Sequence, residues 1–197
     1  MNPTTLDHWS GKRIHFIGIA GAGMSGLARI ALSHGLSVSG SDSKDSSVVL
    51  ALRTLGAEVE IGHAAAHLAG VDIVIYSNAI AANNVEIRRA RELGVPLLTR
   101  AQALATLMSS SKSLAVAGTH GKTTTSSLLA HLLIQANKNV TAFLGGITQN
   151  YGTNFIPNKG PKDVICVVEA DEYDRSFLTL HPKAAVVTST DADHLDI

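Results

Sequence analysis

Residues 114–125 read Leu114-Ala115-Val116-Ala117-Gly118-Thr119-His120-Gly121-Lys122-Thr123-Thr124-Thr125. A short apolar run enters a glycine loop, reaches Gly-Lys-Thr and continues into helix-forming sequence. That order is strand, phosphate loop, helix, a βα unit of an α/β fold. Backbone N–H groups in such a loop cradle phosphate oxygens. Lys122 supplies a point charge to the β- and γ-phosphates, and Thr123 offers a hydroxyl to Mg²⁺. The strict generic pattern asks for glycine at position 116, where this chain has Val116. Gly-Lys-Thr-Thr at a strand–helix junction is nevertheless a strong phosphate signal.

Outward from this loop the same rhythm repeats. Short β-branched runs at 13–18, 36–40, 57–61, 72–77, 95–98, 113–117, 139–144, 164–168 and 184–188 alternate with amphipathic stretches at 24–33, 48–55, 84–93, 100–108 and 123–136. Strands alternating with helical patterns predict βαβ units and parallel sheets, and near-continuous apolar strands predict sheets covered on both faces. A small polar patch around Ser109 divides the chain into two expected domains, 1–108 and 109–197. Thr148 to Asp163, rich in Asn, Gly, Pro and Lys, reads as a long surface loop. The Leu128, Leu129, Leu132 and Leu133 stripe, His15 and Trp9 read as packing, and Cys166 as core.

A second glycine turn follows the first strand. Gly21, Gly23 and Gly26, in Gly21-Ala22-Gly23-Met24-Ser25-Gly26, form G-x-G-x-x-G between a strand and a helix. Such glycines let the backbone approach a pyrophosphate at the helix N-terminus. Asp42 closes the next strand, where an acidic group can bind a ribose hydroxyl. A nicotinamide enzyme and a UDP-sugar binder look alike at this point. Downstream, the strand at 164–168 ends in Glu169-Ala170-Asp171-Glu172, and the run at 184–188 leads to Asp193-His194. Glu169 reads as a ligand for a nucleotide-bound Mg²⁺. His194 can join the same sheet edge.

Composition narrows the function. Lys plus Arg number 16 and Asp plus Glu number 16, so there is no basic excess of the kind a general nucleic-acid binder carries. Aromatic residues are only 4%, which argues against stacking platforms for single strands. The single cysteine excludes an internal disulfide. No apolar run is long enough for a membrane span or a signal peptide, so a cytoplasmic protein is expected.

The two phosphate loops in this order resemble the Mur ligases of peptidoglycan precursor synthesis over essentially all 197 residues. His120 within the loop and the Gly21–Gly26 turn resemble the branch that joins L-alanine to UDP-N-acetylmuramate. The resemblance implies a Rossmann-like UDP-binding domain, followed by the front part of a P-loop ATPase-type domain whose remainder, with a third domain, lies outside the chain. It implies UDP-substrate contacts at Gly21, Ala22, Gly23, Met24, Ser25, Gly26, Asp42, His63, Ser77 and Arg100. It places ATP on Gly118, Thr119, His120, Gly121, Lys122, Thr123 and Thr124, with Mg²⁺ at Thr123, Glu169 and His194. Lys122, Glu169 and His194 carry the implied chemistry: acyl-phosphate formation from ATP, then attack by the amine of L-alanine. The family usually has Asn where this chain has Ser189 or Thr190. The 197 residues alone are expected to bind UDP-substrate without turnover. The murein tripeptide recycling ligase, an NAD enzyme and a non-catalytic nucleotide-sugar module are the alternatives. A redox enzyme leaves Gly121-Lys122-Thr123 without a purpose.

Overall fold

Two sheets, one parallel and one mostly parallel, organise the chain, each in its own compact unit, Met1–Leu107 and Met108–Ile197. The computed structural model describes residues 6–109, 111–160, 163–170 and 181–191. In the first unit β1 (Arg13–Ile17), β2 (Ser37–Asp42), β3 (Glu58–Ile61), β4 (Ile73–Tyr76) and β5 (Leu97–Thr99) lie in the order β3-β2-β1-β4-β5, all parallel. Helices α1 (Ala22–Ser33), α2 (Ser47–Thr54) and α3 (Val85–Leu93) connect them, and α4 (Arg100–Met108) follows β5. Ile14, Phe16 and Ile17 on β1 are fully buried. Each contributes about 1.5–3 kcal/mol from the apolar surface it removes from water. Ile17, Val74, Ile87 and Ala90 pack together between β1, β4 and α3. The chain leaves β1 toward β2 on one side and reaches β4 on the other, so a crevice opens at the carboxyl ends of these strands.

In the second unit β6 (Lys112–Ala117), β7 (Val140–Phe143), β8 (Phe155–Ile156), β9 (Ile165–Glu169) and β10 (Ala184–Val187) take the order β10-β6-β9-β7-β8, with α5 (Lys122–Gln135) after β6. Only the β7–β8 pair is antiparallel. The α/β class and the parallel sheets expected from the sequence are present. Two details differ from expectation. The stretch read as a surface loop contains β8, because Phe155 and Ile156 are buried and Phe155 packs on Phe143 as a tilted ring pair with centroids 5.2 Å apart. The leucine stripe is split: Leu129 and Leu133 pack on the core, whereas Leu128 and Leu132 are exposed. Trp9, His15 and Cys166 are buried. Among the described residues, no helix is long and apolar enough to cross a membrane.

Candidate functional site

Helix starts separate the candidate anion sites from ordinary helix ends. The Ser46 hydroxyl caps α2 by accepting from Val49 N, and the Asn84 side chain caps α3 by accepting from Glu86 N. α4 begins with a reciprocal box: Gln102 N donates to Thr99 Oγ1, and Thr99 N donates to Gln102 Oε1. α1 and α5 start from Gly21 and Gly121 with no side-chain cap. Their first N–H groups therefore face outward, where a phosphate can take the place of a cap.

In the first unit the glycine turn is held by Asp42, whose Oδ2 accepts from Ala20 N at 2.9 Å. Gly18 N and Ile19 N both donate to Ser41 O, which keeps the turn against β2. A Cβ at Gly40 would lie 2.8 Å from Phe16 O, so this close approach requires glycine. Arg100, the first residue of α4, reaches back over the turn. A Cβ at Gly23 would lie 2.6 Å from its Nη1, so the guanidinium sits at the start of α1. Gly62 N donates to Asp42 O and brings the next residue, His63, beside the same edge. His63 Nδ1 is 2.9 Å from Ser41 Oγ and 3.0 Å from Oε2 of Glu86. Ser77 starts a tight turn, accepting Ile80 N on its carbonyl and Ala79 N on its hydroxyl. The Ile80 side chain leans on Gly18. Gly21 is exposed, Gly23 and Ser25 are half-buried, and Met24 and Gly26 are buried, so a ligand would meet Met24 and Gly26 through backbone only. Ala22 N belongs to the first turn of α1.

The second unit assembles Lys122, Thr123 and Glu169 at one sheet edge. Register places Glu169 beside Val116, one residue before the loop's leading Ala117. Thr123 Oγ1 donates toward both Glu169 oxygens, at 3.0 Å each, and Gly145 N donates to Oε2 at 2.7 Å. A Cβ at Gly145 would lie 2.5 Å from Glu169 Oε2. Lys122 Nζ folds back onto the carbonyls of Gly118 and Thr119. The loop leans on the segment after β10: Thr119 N donates to Ser189 O, His120 N to Ser189 Oγ, and Thr188 Oγ1 to His120 O. Thr119 Oγ1 donates to Asp191 O. Gly118, at φ +125°, packs so tightly on Thr188 and Ser189 that a Cβ there would lie 2.8 Å from Ser189 N. Thr119 and His120 thus commit their N–H groups to Ser189, which leaves the uncapped start of α5 as the loop's anion-binding end.

Thr123 and Glu169 offer a hydroxyl and a carboxylate, the all-oxygen donor set that a hard divalent cation takes, so these residues fit Mg²⁺. Among the described residues, no group of three or more His, Cys, Asp or Glu is placed to hold a metal ion. A cation here would complete its shell from phosphates and water. His194 lies outside the described residues, as do Asp171, Glu172 and Asp193. Sequence reasoning does not single out Gly145 or Glu86, and it names Ser189 only as a departure from the family pattern, not as a partner of the loop. The signal for Gly145 was available: a Gly-Gly pair directly after a strand and Leu144 marks close backbone approach.

Residues 13–112 match the model of the Mur ligase family, catalytic domain, and residues 116–197 match the Mur ligase middle domain. The chain belongs to the Mur ligase family. Curated Mur ligase relatives include the UDP-N-acetylmuramate–L-alanine ligases of Renibacterium salmoninarum, 50% identical over 184 residues, and of Trichlorobacter lovleyi, 48% identical over 185 residues. These matches cover 93% and 94% of this chain but 39% and 40% of the relatives, so the chain spans about two fifths of their length. Among solved Mur ligase structures, UDP-N-acetylmuramate-alanine ligase from Thermotoga maritima is 37% identical with a TM-score of 0.80, covering 94% of this chain and 43% of that one. UDP-N-acetylmuramate:L-alanyl-gamma-D-glutamyl-meso-diaminopimelate ligase from Neisseria meningitides is 35% identical with a TM-score of 0.81, covering 94% of this chain and 63% of that one.

Proposed function

We propose that this chain is the UDP-substrate unit (1–108) and the leading part of the ATP unit (109–197) of a cytoplasmic ligase that joins L-alanine to UDP-N-acetylmuramate. The observation that carries the ATP half is the Lys122, Thr123 and Glu169 edge beside an uncapped α5. In the reaction, the muramoyl carboxylate attacks the γ-phosphorus of ATP and ADP leaves, giving an acyl phosphate. The amine of L-alanine then attacks the acyl carbon, and inorganic phosphate leaves. Phosphoryl transfer of this kind needs positioning and charge neutralisation more than covalent help.

The residues divide that work. Gly121, Lys122, Thr123 and Thr124 bind the phosphates through the start of α5, and Gly118, Thr119 and His120 shape the loop. Lys122 exchanges its carbonyl partners for the β- and γ-phosphates. Thr123 and Glu169, together with His194, hold Mg²⁺, which when bound neutralises charge on the transferring phosphoryl group. On the UDP side, the turn from Gly21 to Gly26 and the Arg100 guanidinium bind the diphosphate. Asp42, His63 and Ser77 surround the uridine.

The choice of L-alanine over a tripeptide acceptor is supported by curated relatives at 45–50% identity that carry the L-alanine ligase name. Phosphate release by the whole protein, with UDP-N-acetylmuramate, Mg-ATP and either L-alanine or L-alanyl-γ-D-glutamyl-meso-diaminopimelate, tests it. Turnover with L-alanine alone is expected, and turnover with only the tripeptide refutes the reading. The 197 residues by themselves are expected to bind UDP and Mg-ATP, to leave NADH unbound and to release no phosphate.

A further inference from the structure

Glu86 is fully buried, and the proposed function gives it no task. The Asn84 cap sets it in the first turn of α3, where the helix dipole favours negative charge. Its Oε2 accepts from Ser41 Oγ at 2.6 Å and lies 3.0 Å from His63 Nδ1. Its Oε1 lies 2.7 Å from His67 Nδ1 and 3.4 Å from Ala64 N. A third imidazole, His15, brings Nε2 to 3.6 Å from Oε1, and that nitrogen is buried without a hydrogen-bond partner. One carboxylate thus ties β1, β2, α3 and the segment after β3.

The proton positions follow from the donor inventory. An ionised carboxylate only accepts, so His63 Nδ1 and His67 Nδ1 must each carry a proton. Ser41 directs its one hydroxyl proton at Glu86 and turns its lone pairs to His63 Nδ1, which again requires the proton on nitrogen. In the neutral ring, the lone pair of His63 therefore sits on Nε2. That side chain is 21% exposed, on the edge that also carries Asp42.

We propose that Glu86 is a positioning residue for the UDP site: it fixes the His63 tautomer so that Nε2 accepts a hydrogen bond from a donor on the uridine nucleotide, a uracil N–H or a ribose hydroxyl. This rests on the reading of the first unit as a UDP site. Glu86→Gln separates the role from bulk, because the amide keeps the shape and replaces one acceptor by a donor. The amide oxygen must take the Oε1 place, since Ala64 N–H there can only donate. The NH₂ then faces Ser41, whose hydroxyl can reverse, and His63, which must give up its Nδ1 proton.

The experiment uses the 197-residue chain with ¹⁵N-labelled histidine, at mildly alkaline pH. Long-range proton–nitrogen spectra assign the tautomers, and calorimetric titration with UDP gives affinities for wild type, E86Q, H63A and the double variant. The expected result is Nδ1-protonated His63 in the wild type, loss of that tautomer in E86Q, and UDP affinity reduced about tenfold in E86Q. In the H63A background the Glu86 substitution has no further effect on UDP. A wild-type His63 protonated on Nε2 overturns the proposal. So does an E86Q variant with unchanged UDP affinity, or one whose loss persists undiminished without His63. If the wild type fails to bind UDP, the functional reading falls, while the ligand-free tautomer still decides the placement of the proton by Glu86.

Discussion

Replacing Gly145 by alanine separates the architecture of the ATP edge from its chemistry. The added Cβ would lie 2.5 Å and 2.6 Å from the two Glu169 oxygens and 2.7 Å from the carboxyl carbon. Ordinary contact begins near 3.4 Å, so the carboxylate must withdraw by close to an ångström. It is the far end of a flexible side chain, and withdrawal is sterically cheap. Gly145 N–H is exposed and regains water, so the stability change stays within about 1 kcal/mol. The functional change is larger. Glu169 loses the contacts to Gly145 N and Thr123 Oγ1 that aim it, and loss of an orienting partner of a metal ligand costs about 10–100-fold in metal affinity. Calorimetry with Mg-ATP should report a loss of that size in G145A, with UDP affinity and the thermal midpoint near wild type. Wild-type Mg-ATP affinity in G145A would refute the placement of the cation at Glu169. The contrast is Gly118→Ala, where the clash is with Ser189 backbone at a φ of +125° and the unit itself is destabilised.

Other perturbations have equally definite outcomes. Lys122→Ala removes the cation that folds over the loop, so ATP binding should fall by about tenfold or more while UDP binding is unchanged in calorimetry. Loss of both would point to a folding role instead. Burial raises the Glu86 carboxyl, but the His15 imidazole and hydrogen bonds from Ser41 and His67 more than offset it, holding it at about 2 against an ordinary 4.5. Because the folded value is depressed, its stabilising contribution is complete above pH 4.5 and is lost as pH falls toward 2. Urea titrations across that window should show about 3 kcal/mol lost by the wild type and a flatter profile in E86Q. Burial pushes the Cys166 thiol up to about 12, so a thiol reagent should label the native chain only as fast as the second unit opens.

What the sequence could convey is clearest in the strands. β1, β6 and β9 are mostly apolar runs followed by a glycine or ending in an acid, and both the runs and the turns after them are local signals. The same locality makes Lys122, Thr123 and Glu169 nameable as candidates from the sequence, and the structure brings Thr123 and Glu169 into contact. β8 was hidden, because two apolar residues inside a polar Asn-Gly-Pro stretch do not form a period, and only β7 makes them a strand. At Gly145 the Gly-Gly pair signals a close approach but not what approaches: its partner Glu169 lies 24 residues away, and register alone brings them together. Glu86 is the strongest case. An acid in the first turn of a charged helix reads as solvated surface, yet three imidazoles from other parts of the chain enclose it. The leucine stripe failed in the opposite sense, because helical periodicity cannot tell which of two adjacent leucine pairs meets a sheet.

The brace that Thr188 and Ser189 form under the phosphate loop also has a bearing on the order of folding. The contacts join residues 68 to 71 positions apart, and β10, which leads directly into them, lies at the sheet edge among the described residues, with Val187 60% exposed. Pairings across such a separation close late, and edge strands with few buried contacts open first. The loop between β6 and α5, though encoded by a dozen consecutive residues, would then gain its binding shape only when β10 docks. The amide hydrogens of Thr119 and His120 become reporters of that docking, exchanging with solvent on the timescale of the edge strand rather than of the helix beside them.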